Sequence, residues 1–419
     1  DKQLIIVLDY LERRGTDSRI VKYSTILVFI YYFSVFFLPR IGGHTGHFRY
    51  EDALTLFLLV GLILTLKKSY LFINFSVLIY SLFIVFFSLL NVFFGRSEPY
   101  SIFILGKEIQ YYIVFMLSLN LLSSLDVSKV FNFFLFPSLF LLIIFATYSM
   151  ISGISGVYGL NYLTEYSPSL SAIMYFNCFF LSVIMFYYYR NTKSMKSYIS
   201  AIFVFIFMIS IVATASRAAV LVLLFFLLLY ILIFLNIKAK ILFFSIFTAV
   251  FFLIYFNRLE IHEYISNNKP DNLIFHMVYG RLNSLLLMFD SIDVIKGARL
   301  NSWSLALSKV DYTNIIFGQG RGYFSATDGM KGLGTDSQYT RNIVEIGFIG
   351  FLLFFVMILS SFRYLYGKWK ALYLVYILSY IIWGVAVEIF LLTKGAQMFW
   401  FSTALLLALS RAESSNIDE

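Results

Sequence analysis

The sequence predicts an all-α protein that crosses a membrane about twelve times and carries one large helical loop outside the bilayer. The chain is 60% hydrophobic and only 13% charged. Its mean hydropathy of +0.83 is far from the balance of soluble domains. The apolar residues fall into runs of about 20, the length at which a helix spans a hydrocarbon core with its backbone polar groups satisfied internally.

Twelve apolar runs are the predicted membrane helices, of which the second and the last are short. They are Ile20–Pro39, Ala53–Leu66, Tyr70–Phe94, Ser101–Leu122, Val130–Ser152, Leu170–Tyr189, Ser197–Thr214, Ala218–Leu235, Ile241–Phe256, Asn342–Ser361, Ala371–Leu392 and Gln397–Leu409. Four parts follow from these runs: nine membrane helices with short loops (1–256), a large outer loop (257–341), three further membrane helices (342–410) and a cytoplasmic tail (411–419).

The distribution of lysine and arginine predicts the orientation of the chain. With the N-terminus inside, the inner segments hold seventeen of these residues and the short outer loops hold five. Because basic residues stay on the cytoplasmic side, both termini are predicted to be cytoplasmic. The formal charge of +9 is therefore explained by topology and indicates no nucleic-acid partner. The single cysteine, Cys178, lies inside the sixth run, which excludes a disulfide framework or a cysteine metal site.

The large outer loop is predicted to be a small folded cap. Leu300, Trp303, Leu307 and Val310 recur at helical spacing, and a second helix is predicted over 282–295. The sequence FGQGRGYF follows, with glycines that permit tight turns and let backbone amides approach an anion. By itself this pattern lacks the strand, helix and spacing of a dinucleotide site.

Charges inside the predicted spans are expensive and tend to be functional. Lys107 and Glu108 lie in the fourth run, and Glu388 lies near the outer end of the eleventh. The alternative is a lysine that extends to the interface beside a neighbouring carboxylate. An outer loop with Glu165 and several tyrosines is typical of sugar-binding surfaces and equally of any interfacial loop.

A lipid diphosphate at the outer membrane surface would need cations at that boundary. Arginine suits this role, because its planar fork pairs with two phosphate oxygens and stays charged. Arg217 lies where two apolar runs meet, and the outer loop contributes Arg281, Arg299 and Arg321. Each alone fits a structural role as well as a catalytic one.

Four segments follow one another along the chain: TASR before an apolar helix, ARLNSW in the outer loop, IIFGQGRGYF, and DSQYTRNIVEIGFIGFLLFF entering the next span. Together they resemble the Wzy-type O-antigen polymerases and the related O-antigen ligases. Their order and topology agree over about residues 197–361. The ligases usually have His followed by Asn where this chain has Asp336 and Ser337, a difference that favours a polymerase.

The resemblance implies a GT-C-like membrane glycosyltransferase acting at the periplasmic face of the bacterial inner membrane. It would move a growing glycan from undecaprenyl diphosphate to the non-reducing end of a new lipid-linked repeat unit. The family's two functional arginines map onto Arg217 and Arg299. Expected partners are the lipid-linked donor and acceptor, the bilayer, a chain-length regulator and a flippase.

The candidate residues follow from these arguments. The catalytic candidates are Arg217, Arg299 and Asp336, where Asp336 is either a base for the acceptor hydroxyl or the cap of the next helix. The substrate-binding candidates are Arg281, Arg321, Tyr339, Arg341, Lys107 and Glu165. Tyr339 either binds sugar or anchors at the interface.

No cofactor is expected, and no metal either, because arginines can neutralise the leaving group. Two alternatives remain: a ligase that transfers the glycan to lipid A core, and a transporter or flippase of lipid-linked oligosaccharide. Transporters place charges and broken helices near the midplane, whereas this chain collects its charges at the outer boundary.

Overall fold

The structure is a computed structural model of the chain. It describes residues 18–37, 40–41, 48–66, 70–99, 101–123, 127–152, 168–190, 194–214, 216–257, 260, 263–264, 267, 292–308, 310, 314–326, 337–391 and 393–415. The described residues are overwhelmingly helical and confirm the predicted all-α fold. They include one antiparallel pair of two-residue strands, β1 (Arg40–Ile41) and β2 (Phe48–Arg49).

The longer helices, numbered in chain order, have the following bounds. They are α1 Ser18–Phe37, α2 Thr55–Thr65, α3 Leu71–Phe93, α4 Ser101–Leu122, α5 Phe136–Ser152, α6 Pro168–Tyr189, α7 Met195–Ala213, α8 Arg217–Phe234, α9 Ile237–Phe256, α10 Ile292–Leu307, α11 Gln338–Ser360, α12 Gly367–Ala386 and α13 Thr393–Ser415. Shorter helical segments cover Tyr50–Ala53, Val127–Val130, Phe131–Leu135, Asn314–Phe317, Tyr323–Ala326 and Ser361–Tyr364.

Each of the twelve predicted runs coincides mainly with helix, although the eleventh is shorter than predicted: α12 ends at Ala386, so Glu388 lies in a turn and not in a span. Within the described ranges nine helices are long and apolar enough to cross a membrane. The short second run is α2, of eleven residues. The last run is part of the longer helix α13, because polar residues outside an apolar stretch can continue its helix. The stripe from Leu300 to Leu307 lies on α10 as predicted, and the helix predicted over 282–295 is described only from Ile292.

The first of two compact units comprises residues 1–139, 302–373 and 387–419. In it α4 packs against α1, α2, α3 and α13, and α3 also packs against α11. The segment from Asn314 to Ala326, called here the Gly-rich segment, packs against α4 and α11. Phe324 of this segment forms a small apolar cluster with Ala306 and Val344.

The second compact unit comprises residues 140–301 and 374–386. The central helix of this unit is α6, which packs against α7 and α8. In the apolar stretch of α6, 89% of the residues are buried. Asn177 of α6 accepts hydrogen bonds from the hydroxyls of Tyr376 and Tyr380, at 2.5 and 2.8 Å. These bonds satisfy a buried amide oxygen inside an aromatic core.

Helix α11 is broken at Gly347, which has φ 68° and ψ −179°. In an uninterrupted helix the carbonyls of Val344 and Glu345 would accept from amides four residues later. Here they accept instead from Gln319 N at 2.9 Å and Gly320 N at 2.8 Å. The break therefore gives the Gly-rich segment two backbone hydrogen bonds to a membrane helix.

Alanine at Gly347 should destabilise the protein by several kcal/mol. The residue needs a positive φ, and a Cβ there would lie 2.5 Å from the Gly318 nitrogen, so strain and overlap add, at about 1 to 3 kcal/mol each. Thermal unfolding in detergent measures the loss. Gly106→Ala is the matched control, because Gly106 is helical with nothing within 4 Å of its Cβ position. Equal melting temperatures for the two variants would contradict the account of the break.

Candidate functional site

Arg321, in the Gly-rich segment, lies at the centre of a buried polar cluster. Its side chain is completely buried, and its five N–H groups have five acceptors. Nε donates to Glu108 Oε2. Nη2 donates to Glu108 Oε1 at 2.9 Å and to the Tyr80 hydroxyl at 3.1 Å. Nη1 donates to Asn342 Oδ1 at 2.9 Å and to Glu345 Oε2 at 3.3 Å. All five N–H donors of the guanidinium are thus bound by residues of α3, α4 and α11.

Glu108 is the main counterion, seven residues into α4 and therefore about 10 Å along the helix from Ser101. Its Oε1 accepts from the hydroxyls of Tyr80, at 3.0 Å, and Tyr112, at 2.7 Å, as well as from Arg321. A carboxylate in an apolar span needs such partners, since an unpaired buried charge costs several kcal/mol.

The cluster continues along α11 to a second arginine. Glu345 Oε1 lies 3.1 Å from Arg341 Nε, and Arg341 Nη1 donates to Glu388 Oε2. Arg321, Glu108, Glu345, Arg341 and Glu388 are called here the ion network. It connects the Gly-rich segment to α4, to α11 and to the turn before α13.

Neutral side chains tie the same elements together. Gln338 Nε2 donates to Asn342 Oδ1 at 2.9 Å, and Gln338 Oε1 accepts from the backbone of Phe390 at 3.0 Å. Ser337 is the N-cap of α11, with its side chain accepting from Thr340 N at 3.5 Å. The capping role that is the alternative interpretation of Asp336 therefore belongs to Ser337.

The glycines of the Gly-rich segment do form the predicted tight turns. Gly318, Gly320 and Gly322 have φ of 80°, 94° and 86°, values that favour glycine. Their neighbouring amides bind protein acceptors, such as Asn314 O for Gly318 N and the Ser88 hydroxyl for Arg321 N. The amides of Gln319 and Gly320 dock the segment onto α11, and the amide of Arg321 docks it onto α3.

Electrostatics keeps Arg321 charged. Burial disfavours the charged guanidinium, yet the adjacent carboxylates of Glu108 and Glu345 raise the pKa of Arg321 well above its ordinary value. The hydrogen bonds to Glu108 act in the same direction. Arg321 is therefore a permanent cation whose charge is compensated within the cluster.

Arg217, a predicted catalytic residue, lies in a different environment. It is the first residue of α8, partly exposed, and directly follows the N-cap Ser216. Among the described residues, none forms a hydrogen bond or an ion pair with its side chain. The N-terminus of a helix favours anions, because its first amides are unpaired and it carries a partial positive charge. Arg217 adds a full positive charge at this end of α8.

Two other candidates have described contacts. Lys107 forms an ion pair with Asp52 at 3.6 Å rather than with its neighbour Glu108, and 28% of its side chain is exposed. The partly exposed ring of Tyr339 lies 5.9 Å from that of Phe351 and 6.1 Å from that of Phe355, between centroids. Both remain predictions as substrate-binding residues.

The remaining candidates are outside what the structure describes. Arg281, Asp336 and Glu165 lie outside the described residues, and for Arg299 only its place in α10 is described. The structure brings two of the predicted residues together, Arg321 and Arg341, through Glu345.

No pattern in the sequence marks Glu345, Tyr80 or Asn342 as parts of a site, and Glu108 stands out only as a charge within a predicted span. A buried carboxylate requires a cation, which is the signal that could have paired Glu108 with an arginine. Among the described residues, no group of three or more His, Cys, Asp or Glu is arranged to hold a metal ion. Metal independence remains a prediction.

Fold and ion network together define a polytopic membrane protein in which buried charges bind a glycine-rich segment to the helices α4 and α11. Residues 201–355 match the model of the O-antigen ligase family, Wzy_C. The match runs from α7 into α11 and includes the sites of Arg217, Arg299, Arg321 and Arg341, which confirms the resemblance found in the motifs. No curated protein matches the chain.

Proposed function

We propose that the chain is a membrane-integral glycosyltransferase that polymerises lipid-linked oligosaccharide repeat units. The observation that carries this proposal is Arg217, inside the family-matched domain. It is a partly exposed cation at the start of an apolar helix, with no partner among the described residues. The charge of Arg321, in contrast, is compensated by buried carboxylates. An uncompensated guanidinium at a membrane boundary suits a phosphate ligand.

The proposed reaction breaks the bond between the anomeric carbon of the growing glycan and a diphosphate oxygen. A bond forms between that carbon and a hydroxyl of the next repeat unit, and undecaprenyl diphosphate leaves. Arg217 and Arg299 stabilise the negative charge that develops on the diphosphate. Asp336 accepts the proton of the attacking hydroxyl.

Arg341 binds the diphosphate of the lipid-linked glycan in this proposal. Arg281, Lys107, Tyr339 and Glu165 bind other parts of the substrate. Arg321 does not contact it, because its five donors already have acceptors. Asp336 and Ser337, in place of the ligases' His and Asn, support polymerase over ligase. The bacterial inner membrane, with both termini cytoplasmic and the reaction at the periplasmic face, is the proposed location.

An acceptor competition in proteoliposomes tests this function. The protein receives one defined undecaprenyl-diphosphate repeat unit, with or without lipid A core, and no nucleotide sugar. We expect a ladder of glycan lengths without the core, and the same ladder in the presence of a metal chelator. Transfer only to the core would establish the ligase alternative. Absence of any transfer, with movement of the lipid-linked glycan across the bilayer, would establish the transporter.

A further inference from the structure

Glu345 lies between the two arginines of the ion network. It is completely buried, with one carboxylate oxygen 3.3 Å from Arg321 Nη1 and the other 3.1 Å from Arg341 Nε. One carboxylate therefore contacts both guanidinium groups, so that a movement of Arg321 acts on a counterion of Arg341.

Exposure increases along this series of charges. The side chains of Arg321 and Glu345 are 0% exposed, Arg341 is 11% exposed and Glu388 is 18% exposed. The network thus has a closed end at Arg321 and an open end at Arg341 and Glu388. Only the open end is accessible to a ligand without rearrangement of the protein.

We infer that Arg321 is a positioning residue that acts through Glu345 to orient Arg341 toward the lipid diphosphate. This inference rests on the proposed function, in which Arg341 binds that diphosphate. The closed end gives Arg321 no donor for a substrate, while its fork holds Glu108, Asn342 and Glu345 together. The docked Gly-rich segment thereby sets the orientation of a guanidinium on another element.

Lysine at position 321 separates charge from geometry. It keeps the positive charge beside Glu108 but replaces a planar fork of five donors by a single ammonium group. The ammonium cannot reproduce the contacts of Nη1 with Asn342 and Glu345 together with those to Glu108. Glu345 then loses the contact with Arg321 that holds it in place, so one of the two counterions of Arg341 is no longer fixed.

A double-mutant cycle on ligand affinity tests the inference. The full chain in nanodiscs is titrated with undecaprenyl diphosphate, and Kd is measured for the wild type, Arg321→Lys, Arg341→Ala and the double variant. We expect Arg321→Lys to raise Kd about tenfold, the usual effect of losing one charge-assisted contact. In the Arg341→Ala background the same change should alter Kd less than about twofold, because coupled residues are not additive.

Tyr373→Phe is the control for general loosening of the same compact unit. It removes the buried hydrogen bond from the Tyr373 hydroxyl to the Ile358 carbonyl, at 2.8 Å, and leaves the ion network intact. Any effect of this control on Kd should be the same in the wild-type background and in the Arg341→Ala background. An effect on Kd that does not depend on Arg341 is the result expected of a residue that contributes only to the stability of the unit.

Several results would overturn the inference. These are an unchanged Kd in Arg321→Lys, an equal effect of Arg321→Lys with and without Arg341, or no binding of undecaprenyl diphosphate by the wild type. Glycan transfer is measured separately on the same preparations. If the two substitutions are coupled in their effects on Kd but no glycan is transferred, the proposed function is wrong and the positioning role stands. If glycan is transferred but the effects on Kd are additive, the proposed function stands and the positioning role is wrong.

Discussion

Arg217→Ala should reduce glycan transfer about a thousandfold while the protein remains folded in the membrane. Removing one preorganised charge or donor at a developing negative charge has effects of about this size or larger. Arg217 is partly exposed and has no partner among the described residues, so its loss leaves no described charge unpaired. Initial rates at saturating lipid-linked repeat unit, normalised to folded protein, measure the effect.

Arg217→Lys and Arg190→Ala refine this prediction. Lysine keeps the charge and loses the fork, so it should recover part of the rate. Arg190 follows α6 and lies 6.0 Å from the ring centroid of Tyr187, and its replacement should leave the rate nearly unchanged. Equal losses in Arg190→Ala and Arg217→Ala would mean that neither residue acts on the substrate specifically.

Glu108→Gln should cause the largest loss of stability among single changes in the ion network, about 3 to 5 kcal/mol. The substitution leaves the Arg321 guanidinium buried without its main counterion, the arrangement that costs most in proteins. Arg321→Gln should cost a similar amount for the same reason. Unfolding by denaturant in detergent, followed by tryptophan fluorescence, gives the free energies.

The double variant Glu108→Gln, Arg321→Gln should recover more than half of that loss. Neutral amides can hydrogen-bond to each other and to Tyr80, and no unpaired charge remains at this position. Glu413→Gln is the control, since its ion pair with Lys368 is exposed and should contribute no more than about 1 kcal/mol. A double variant as unstable as the sum of the single variants would show that the pair is not coupled.

Most of the fold could be predicted from the sequence because membrane helices depend on local properties. A run of apolar residues of sufficient length specifies a helix by itself, so the twelve predicted runs coincide mainly with helices. The helix ends were less predictable, as α13 shows, since polar residues can extend a helix beyond the hydrocarbon region.

The site could be predicted only in part. The three glycines marked a tight turn, which the structure contains, whereas the role of Arg217, found between two apolar runs, stays a prediction. The partners of Arg321 could not be predicted, because Glu108 is 213 residues away and no local pattern encodes that pairing. The break at Gly347 was equally hidden, since the amides that bind the freed carbonyls of α11 belong to the Gly-rich segment, more than twenty residues earlier in the chain.

The most direct test of the central claim is the stoichiometry of lipid release. Sealed proteoliposomes receive a lipid-linked repeat unit without nucleotide sugar, and free undecaprenyl diphosphate is quantified together with the glycan bonds formed. We predict about one released lipid diphosphate for each new bond, as the balance of the proposed transfer requires, and neither product in Arg217→Ala. Movement of intact lipid-linked repeat unit across the bilayer, with no bond broken, would contradict the account.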